Sequence, residues 1–127
     1  MRKILVTGAQ GQIGSELVPA LRDRYGADAV VSTFHRKRPK LEDGLIEHLD
    51  STDTKQLGGL LDRHEIGTIY HLAAMLSAIG ETDPQAAWGV NMGSLYAVLE
   101  AARARNCAIF FPSSIGAFGP GTPLDNT

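Results

Sequence analysis

The chain has a single cysteine, Cys107, so it has no internal disulfide available to it. Neither a leader-type apolar region nor a span long enough to cross a bilayer opens or interrupts it, which excludes a membrane protein of the helical kind. Charge of one sign is also lacking: 12 Lys and Arg stand against 14 Asp and Glu, leaving no bulk pull toward nucleic acid or an anionic membrane. The basic cluster 36-RKR-38 is local. No repeat, low-complexity tract or polar linker divides the chain, and the only loop-rich stretch is 116-GAFGPGTPLDNT-127. His35, His48, His64 and His71 have no metal-ligand spacing to one another or to Cys107, so they read as structural or surface residues and no metal site is expected. What remains is one cytoplasmic domain over residues 1–127, whose 43% hydrophobic content suffices for a single core.

Short apolar runs alternate with longer segments of helical period, the pattern of a parallel sheet wrapped by helices. Strands are expected at 3-KILVT-7, 29-AVVSTF-34, 45-LIEHL-49, 68-TIYHLA-73 and 108-AIFFPS-113. The first helix is 12-QIGSELVPALRDRY-25, with Ile13, Leu17, Val18 and Leu21 on one face and Pro19 expected to kink it. The second is 54-TKQLGGLLDRH-64, capped by Asp53; the third starts at 83-DP-84 and runs to about Asn106. Right-handed crossovers then give an α/β, doubly wound sheet in the order third, second, first, fourth, fifth strand.

Between the first strand and the first helix lies 7-TGAQGQIGSE-16, with glycines at 8, 11 and 14. Gly8 permits a tight turn, Gly11 lets the backbone approach a pyrophosphate, and Gly14 lets helix pack on strand. The phosphates meet free N–H groups, including those of Gln12 and Ile13, and the positive end of the helix dipole. A strand–turn–helix context makes dinucleotide binding a better reading than a merely tight turn.

The spacing G-x-x-G-x-x-G behind 7-TG-8, together with Asp50 at the end of strand three, 71-HLAA-74, Asn91 and 113-SSIGAFG-119, resembles the extended branch of the short-chain dehydrogenase/reductase superfamily. More narrowly, 75-MLSAIGETDPQAAWGVNM-92 with 112-PSSIGAFGPGTP-123 looks like the short-chain-type L-threonine 3-dehydrogenases, relatives of UDP-galactose 4-epimerase, over essentially the whole chain. The resemblance implies oxidation of the threonine β-hydroxyl to 2-amino-3-ketobutyrate with hydride transfer to NAD. It implies that Ser114 hydrogen-bonds the reacting oxygen, with Ser113 beside it in the cofactor wall, and that Ser77 contacts the amino-acid headgroup. Asp50, with Ser51, holds the adenine amino group; Leu72, Ala73 and Ala74 pass close to the adenosine ribose; Asn91 orders a relay water. The helix containing Trp88, Met92 and Tyr96 would pack against a second copy, making a homo-oligomer.

Two departures accompany the likeness. NAD-using members carry an acid at the end of strand two; here Phe34 occupies it, and Thr33, His35, Arg36 and Lys37 around it could meet a 2′-phosphate, so NAD stands first and NADP second. The Tyr-x-x-x-Lys pair that supplies the general base is absent: Ala29, Ala74 and Glu100 stand four places after Tyr25, Tyr70 and Tyr96. The expectation is the N-terminal, dinucleotide-binding part of a longer enzyme, without turnover by itself. An NmrA-like regulatory protein and a nucleotide-sugar epimerase or dehydratase stay open as alternatives.

Overall fold

The computed structural model describes residues 2–35, 44–50, 52–72 and 84–111. Strands β1 (Lys3–Thr7), β2 (Val30–Phe34), β3 (Leu45–His48), β4 (Ile66–His71) and β5 (Ala108–Phe110) alternate with helices α1 (Gln12–Tyr25), α2 (Thr54–Arg63) and α3 (Pro84–Arg105). All four strand pairings are parallel and the order is β3-β2-β1-β4-β5, as the alternation of apolar runs requires.

A sheet covered on both faces needs strands apolar on both sides, and β1 shows how this is met. Ile4 and Val6 face α1, packing with Val18 and Leu21; Leu5, between them, faces α2 and α3, packing with Leu57, Leu61 and Val98. The stripe Leu57, Leu60, Leu61 is almost wholly removed from water. Asp53 caps α2 by accepting from the Gln56 N–H at 3.1 Å.

Strand limits differ from the sequence reading where a local signal was missing. Residues 27–29 form a 3₁₀ turn ahead of β2, so Ala29 is not in the strand. β4 starts two residues early, at Ile66, because Glu65 takes a left-handed φ of 54° and ends the α2 connection at once. Gly67 lies inside β4, where a Cβ would come within 2.6 Å of the Arg2 Cβ. The Arg2 guanidinium in turn donates to the carbonyls of Ile66, Arg105 and Asn106 and ties the amino ends of the strands to α3. Pro19 sits exposed within one unbroken α1, costing it only the bond to the Ser15 carbonyl.

On α3, Met92, Tyr96 and Leu99 are exposed large apolar side chains at helical spacing, and the side chain of Trp88 lies outside the described residues. Among the described residues no helix is long and apolar enough to cross a membrane. Leu57→Ala should lower the unfolding free energy by about 2–5 kcal/mol through lost burial and the cavity left behind. Ile13→Ala, at a position 58% exposed, should change it by less than about 0.5 kcal/mol. Urea denaturation of the two variants checks both.

Candidate functional site

A doubly wound sheet opens a crevice outside the carboxyl ends of the two neighbouring strands whose connections leave to opposite faces. Here those strands are β1 and β4, in register with Thr7 opposite His71. The chain leaves β1 through Gly8, whose φ of 66° is the left-handed region that only glycine enters freely. It closes a turn in which the Gly11 N–H donates to the Gly8 carbonyl at 3.1 Å, then enters α1.

The other two glycines do different jobs. A Cβ on Gly14 would lie 2.6 Å from the Gly8 carbonyl oxygen and 2.7 Å from the Ala9 Cα, so the helix can approach the turn only at a glycine. A Cβ on Gly11 would meet nothing nearer than 3.4 Å, and Gly11 is exposed. Its bareness serves nothing inside the chain and leaves the backbone open to a ligand. Gly11 is also the N-cap of α1 with no side-chain cap, no acid stands in the first turn, and Gln12 and Ile13 are exposed. Unpaired N–H groups and the positive end of the helix dipole therefore face the crevice, a fit for the phosphates of a dinucleotide.

The second strand's end is packed differently from the sequence expectation for Thr33. That side chain is buried and donates to the Val6 carbonyl at 2.9 Å, so its hydroxyl is committed to the sheet. Phe34 meets His48 edge to face at 5.4 Å. Beyond β3, Asp50 keeps one carboxylate oxygen on the Thr52 hydroxyl and N–H at 2.6 and 3.0 Å, and the other lies 3.8 Å from His35 Nε2. The Thr52 hydrogen bonds come first in holding its pKa below the usual carboxylate value, with His35 and His48 adding to them.

The floor of the crevice carries a group that sequence reasoning left among the bland histidines. His71 is fully buried; its Nδ1 lies 2.8 Å from the Thr7 hydroxyl and its Nε2 3.3 Å from the Ser94 hydroxyl. The Leu72 N–H reaches both the Thr7 hydroxyl and the Thr7 carbonyl at 3.1 Å. Ser94 donates to the carbonyl of Asn91, half-buried on α3, at 3.2 Å. The one available signal was parity: His71 follows Ile69 by two in β4, so it shares that residue's buried face. Of the expected site residues, Gly8, Gly11, Gln12, Ile13, Gly14 and Leu72 gather at the crevice, with Asn91 joined to its floor through Ser94. Arg36, Ser51, Ala73, Ala74, Ser77, Ser113 and Ser114 lie outside the described residues. Among those described, no cluster of His, Cys, Asp or Glu could hold a metal ion.

Burial pushes the His71 pKa down from 6.5 to about 4, because the imidazolium would lose its hydration. The unfolded chain thus takes up this proton first on acidification. His71's contribution is fully present above pH 6.5 and is lost as pH falls to about 4, a change of about 3 kcal/mol. Urea midpoints measured across that window should fall in the native chain and flatten in His71→Gln. Gly14→Ala should destabilise by about 1–3 kcal/mol through backbone overlap, while Gly11→Ala should cost about 1 kcal/mol or less; thermal unfolding separates the two.

Comparison with known proteins shows the family. The NAD dependent epimerase/dehydratase family matches residues 4–127. An uncharacterized epimerase/dehydratase of Staphylococcus saprophyticus is 47% identical over all of this chain, which covers 41% of that protein. The L-threonine dehydrogenase of Clostridium difficile superposes with a TM-score of 0.90 at 44% identity, over 97% of this chain and 40% of that one. The holo form of a GalE-like L-threonine dehydrogenase from Cupriavidus necator gives 0.89 at 48% identity, over 95% and 40%. The chain thus spans about two fifths of the length of the relatives it matches. With the family's pattern running through residues 4–127 and a glycine turn shaped for a nicotinamide dinucleotide at its start, the chain belongs to the NAD-dependent epimerase/dehydratase family.

Proposed function

We propose that this chain is the dinucleotide-binding part of an oxidoreductase that converts L-threonine to 2-amino-3-ketobutyrate with NAD. The observation that carries the reading is the exposed, uncapped Gly11 turn at the β1/β4 crevice, in a chain sharing 44–48% identity with L-threonine dehydrogenases. Gln12, Ile13 and Gly14 would take the pyrophosphate through backbone N–H groups, and the bare Gly11 would let it approach the backbone. Leu72, Ala73 and Ala74 would line the ribose, Asp50 and Ser51 the adenine, and Ser113 and Asn91 the nicotinamide side. The nicotinamide, when bound, accepts the hydride released as the β-hydroxyl carbon is oxidised.

Of this chain's own residues, Ser77 would engage the amino-acid headgroup and Ser114 would hydrogen-bond the reacting oxygen. Ser114 cannot take the proton, since an alcohol without a neighbouring base has no accessible anion near neutral pH. At the second strand's end, Arg36 and exposed His35 favour NADP as the second cofactor choice, while the family favours NAD. The exposed Met92, Tyr96 and Leu99 stripe supports association of two copies through α3.

Calorimetry on the 127-residue chain should show NAD or NADP binding that Gly11→Val abolishes, because a branched side chain would occupy the phosphate position. Binding unchanged by that substitution would place the dinucleotide elsewhere. With L-threonine and NAD the same chain should form reduced nicotinamide at a rate about two to four powers of ten below that of an enzyme with a general base. Faster turnover that disappears in Ser114→Ala would show that another residue acts as base.

A further inference from the structure

Outside β2 and β3 the polar groups of the rim are displaced by one strand. A dinucleotide site of this kind holds the adenosine ribose with an acid about 20 residues beyond the glycine turn, at the end of β2. Phe34 stands there, and its ring has no hydrogen-bonding group. Counting by twos from Val30, which packs on the α1 side of the sheet, places Phe34 on that side as well. Its register partner across β2 and β3 is His48, so the imidazole leaves the sheet on the same side, edge to face with the phenyl ring at 5.4 Å. A polar group beside the expected place of the acid thus comes from the neighbouring strand.

What that group presents is decided by Gln56, in the first turn of α2. Its Oε1 accepts from the Asp50 N–H at 2.8 Å, and its Nε2 donates to the His48 carbonyl at 3.1 Å. Each of these backbone groups has a single role, so exchanging the amide's oxygen and nitrogen would set donor against donor and acceptor against acceptor. With the amide so fixed, its nitrogen lies 2.9 Å from His48 Nδ1. An amide nitrogen only donates, so Nδ1 is the acceptor and the ring hydrogen is on Nε2. His48 is exposed, and its Nε2 has no hydrogen-bond partner among the described residues. The rim therefore presents an oriented N–H donor. Beside it among the described residues stand His35, whose ring is 6.2 Å from that of His48, and the Asp50 carboxylate, 3.8 Å from His35 Nε2.

We propose that His48, oriented by Gln56, donates its Nε2–H to the 2′ oxygen of the adenosine ribose and lets the site accept both NAD and NADP. This rests on the dinucleotide-binding reading. An acid at this place accepts from a 2′-hydroxyl and repels a 2′-phosphate; an N–H donor serves a hydroxyl and a phosphate oxygen alike, because each can accept. Gln56 is the positioning residue: it touches no ligand and acts by keeping Nδ1 occupied, so that the hydrogen stays on the nitrogen facing outward.

Calorimetric titration of the 127-residue chain with NAD, NADP and an NAD whose adenosine lacks the 2′-hydroxyl tests this. Wild type should bind NAD and NADP within about tenfold of each other, and the deoxy analogue about fivefold more weakly than NAD. His48→Leu, at an exposed position on the outermost strand, should bind NAD and the analogue alike and lose about tenfold or more in affinity for NADP. Wild type that binds NAD and the analogue equally, or NAD but not NADP, overturns the proposal. So does a His48→Leu chain that still prefers NAD to the analogue, a result that would assign the 2′ oxygen to another group such as 36-RKR-38. Long-range nitrogen–proton NMR correlations should show hydrogen on Nε2 of wild-type His48 and on either nitrogen in Gln56→Leu, which should bind NAD about twofold or more weakly. Hydrogen on Nδ1 in wild type overturns the proposal. Gln56→Leu with a lowered unfolding temperature but an unchanged tautomer and unchanged dissociation constants would show a merely structural glutamine and overturn its positioning role. If wild type binds none of the three ligands, the dinucleotide-binding reading itself fails, and this proposal with it. If NAD binds but the 2′ comparisons fail, only this proposal does.

Discussion

The close approach of Gly14 to the Gly8 carbonyl is the contact on which the rest of this arrangement depends. No side chain, not even a methyl, fits between the first turn of α1 and the end of β1. The helix axis is therefore aimed from a fixed point, and its first turn is held against the Gly8–Ala9 turn at the carboxyl end of β1. Moving the helix out by the width of a Cβ would carry its unpaired N–H groups away from the crevice and open a void against Val18 and Leu21 on its inner face. Packing and ligand geometry are set by the same missing carbon.

That contact also separates three glycines that look equivalent in sequence. Gly8 is required by a backbone angle, Gly14 by an atom-to-atom distance, and Gly11 by neither. A residue that the fold does not require to be glycine, standing exposed at an uncapped helix start, is best explained by something outside the chain. The electrostatics agree, since an acid in the first turn would stabilise the helix alone but would repel a phosphate.

Periodicity made most of the fold legible. The alternation of apolar strands and amphipathic helices carried the strand order, because a parallel sheet needs its strands buried on both faces and leaves few topologies open. The start of β4 was not legible because its signal lies in Glu65, a residue type with no preference for the left-handed angle it adopts. The lack of a side chain at Gly67 likewise answers to a distant residue, Arg2, some 60 residues away in sequence. Thr33 shows the same limit for the site: it belongs to a strand end, where sequence places a side chain near a ligand, yet its hydroxyl turns to Val6, while His71, read as structural or surface, is buried on Thr7 and Ser94. Local pattern says which face a residue occupies; what it bonds there is decided by the neighbouring strand.

The end of β2 shows that constraint acting on a departure from the family's usual acid. Phe34 sits edge-on to His48, and Gln56 holds that ring's Nδ1 at 2.9 Å while its carbonyl oxygen accepts from the Asp50 N–H at 2.8 Å. Phe34, His48, Gln56 and Asp50 are thus successive members of one packed rim. A carboxylate in place of Phe34 would lose the edge contact with His48 and bring a second negative charge toward Asp50, whose own carboxylate is already held ionised by Thr52. Two such charges on one rim repel unless a cation stands between them. The phenyl ring is therefore consistent with its surroundings, and the negative charge of this rim is carried one strand further out, at Asp50, beside the exposed imidazole of His35.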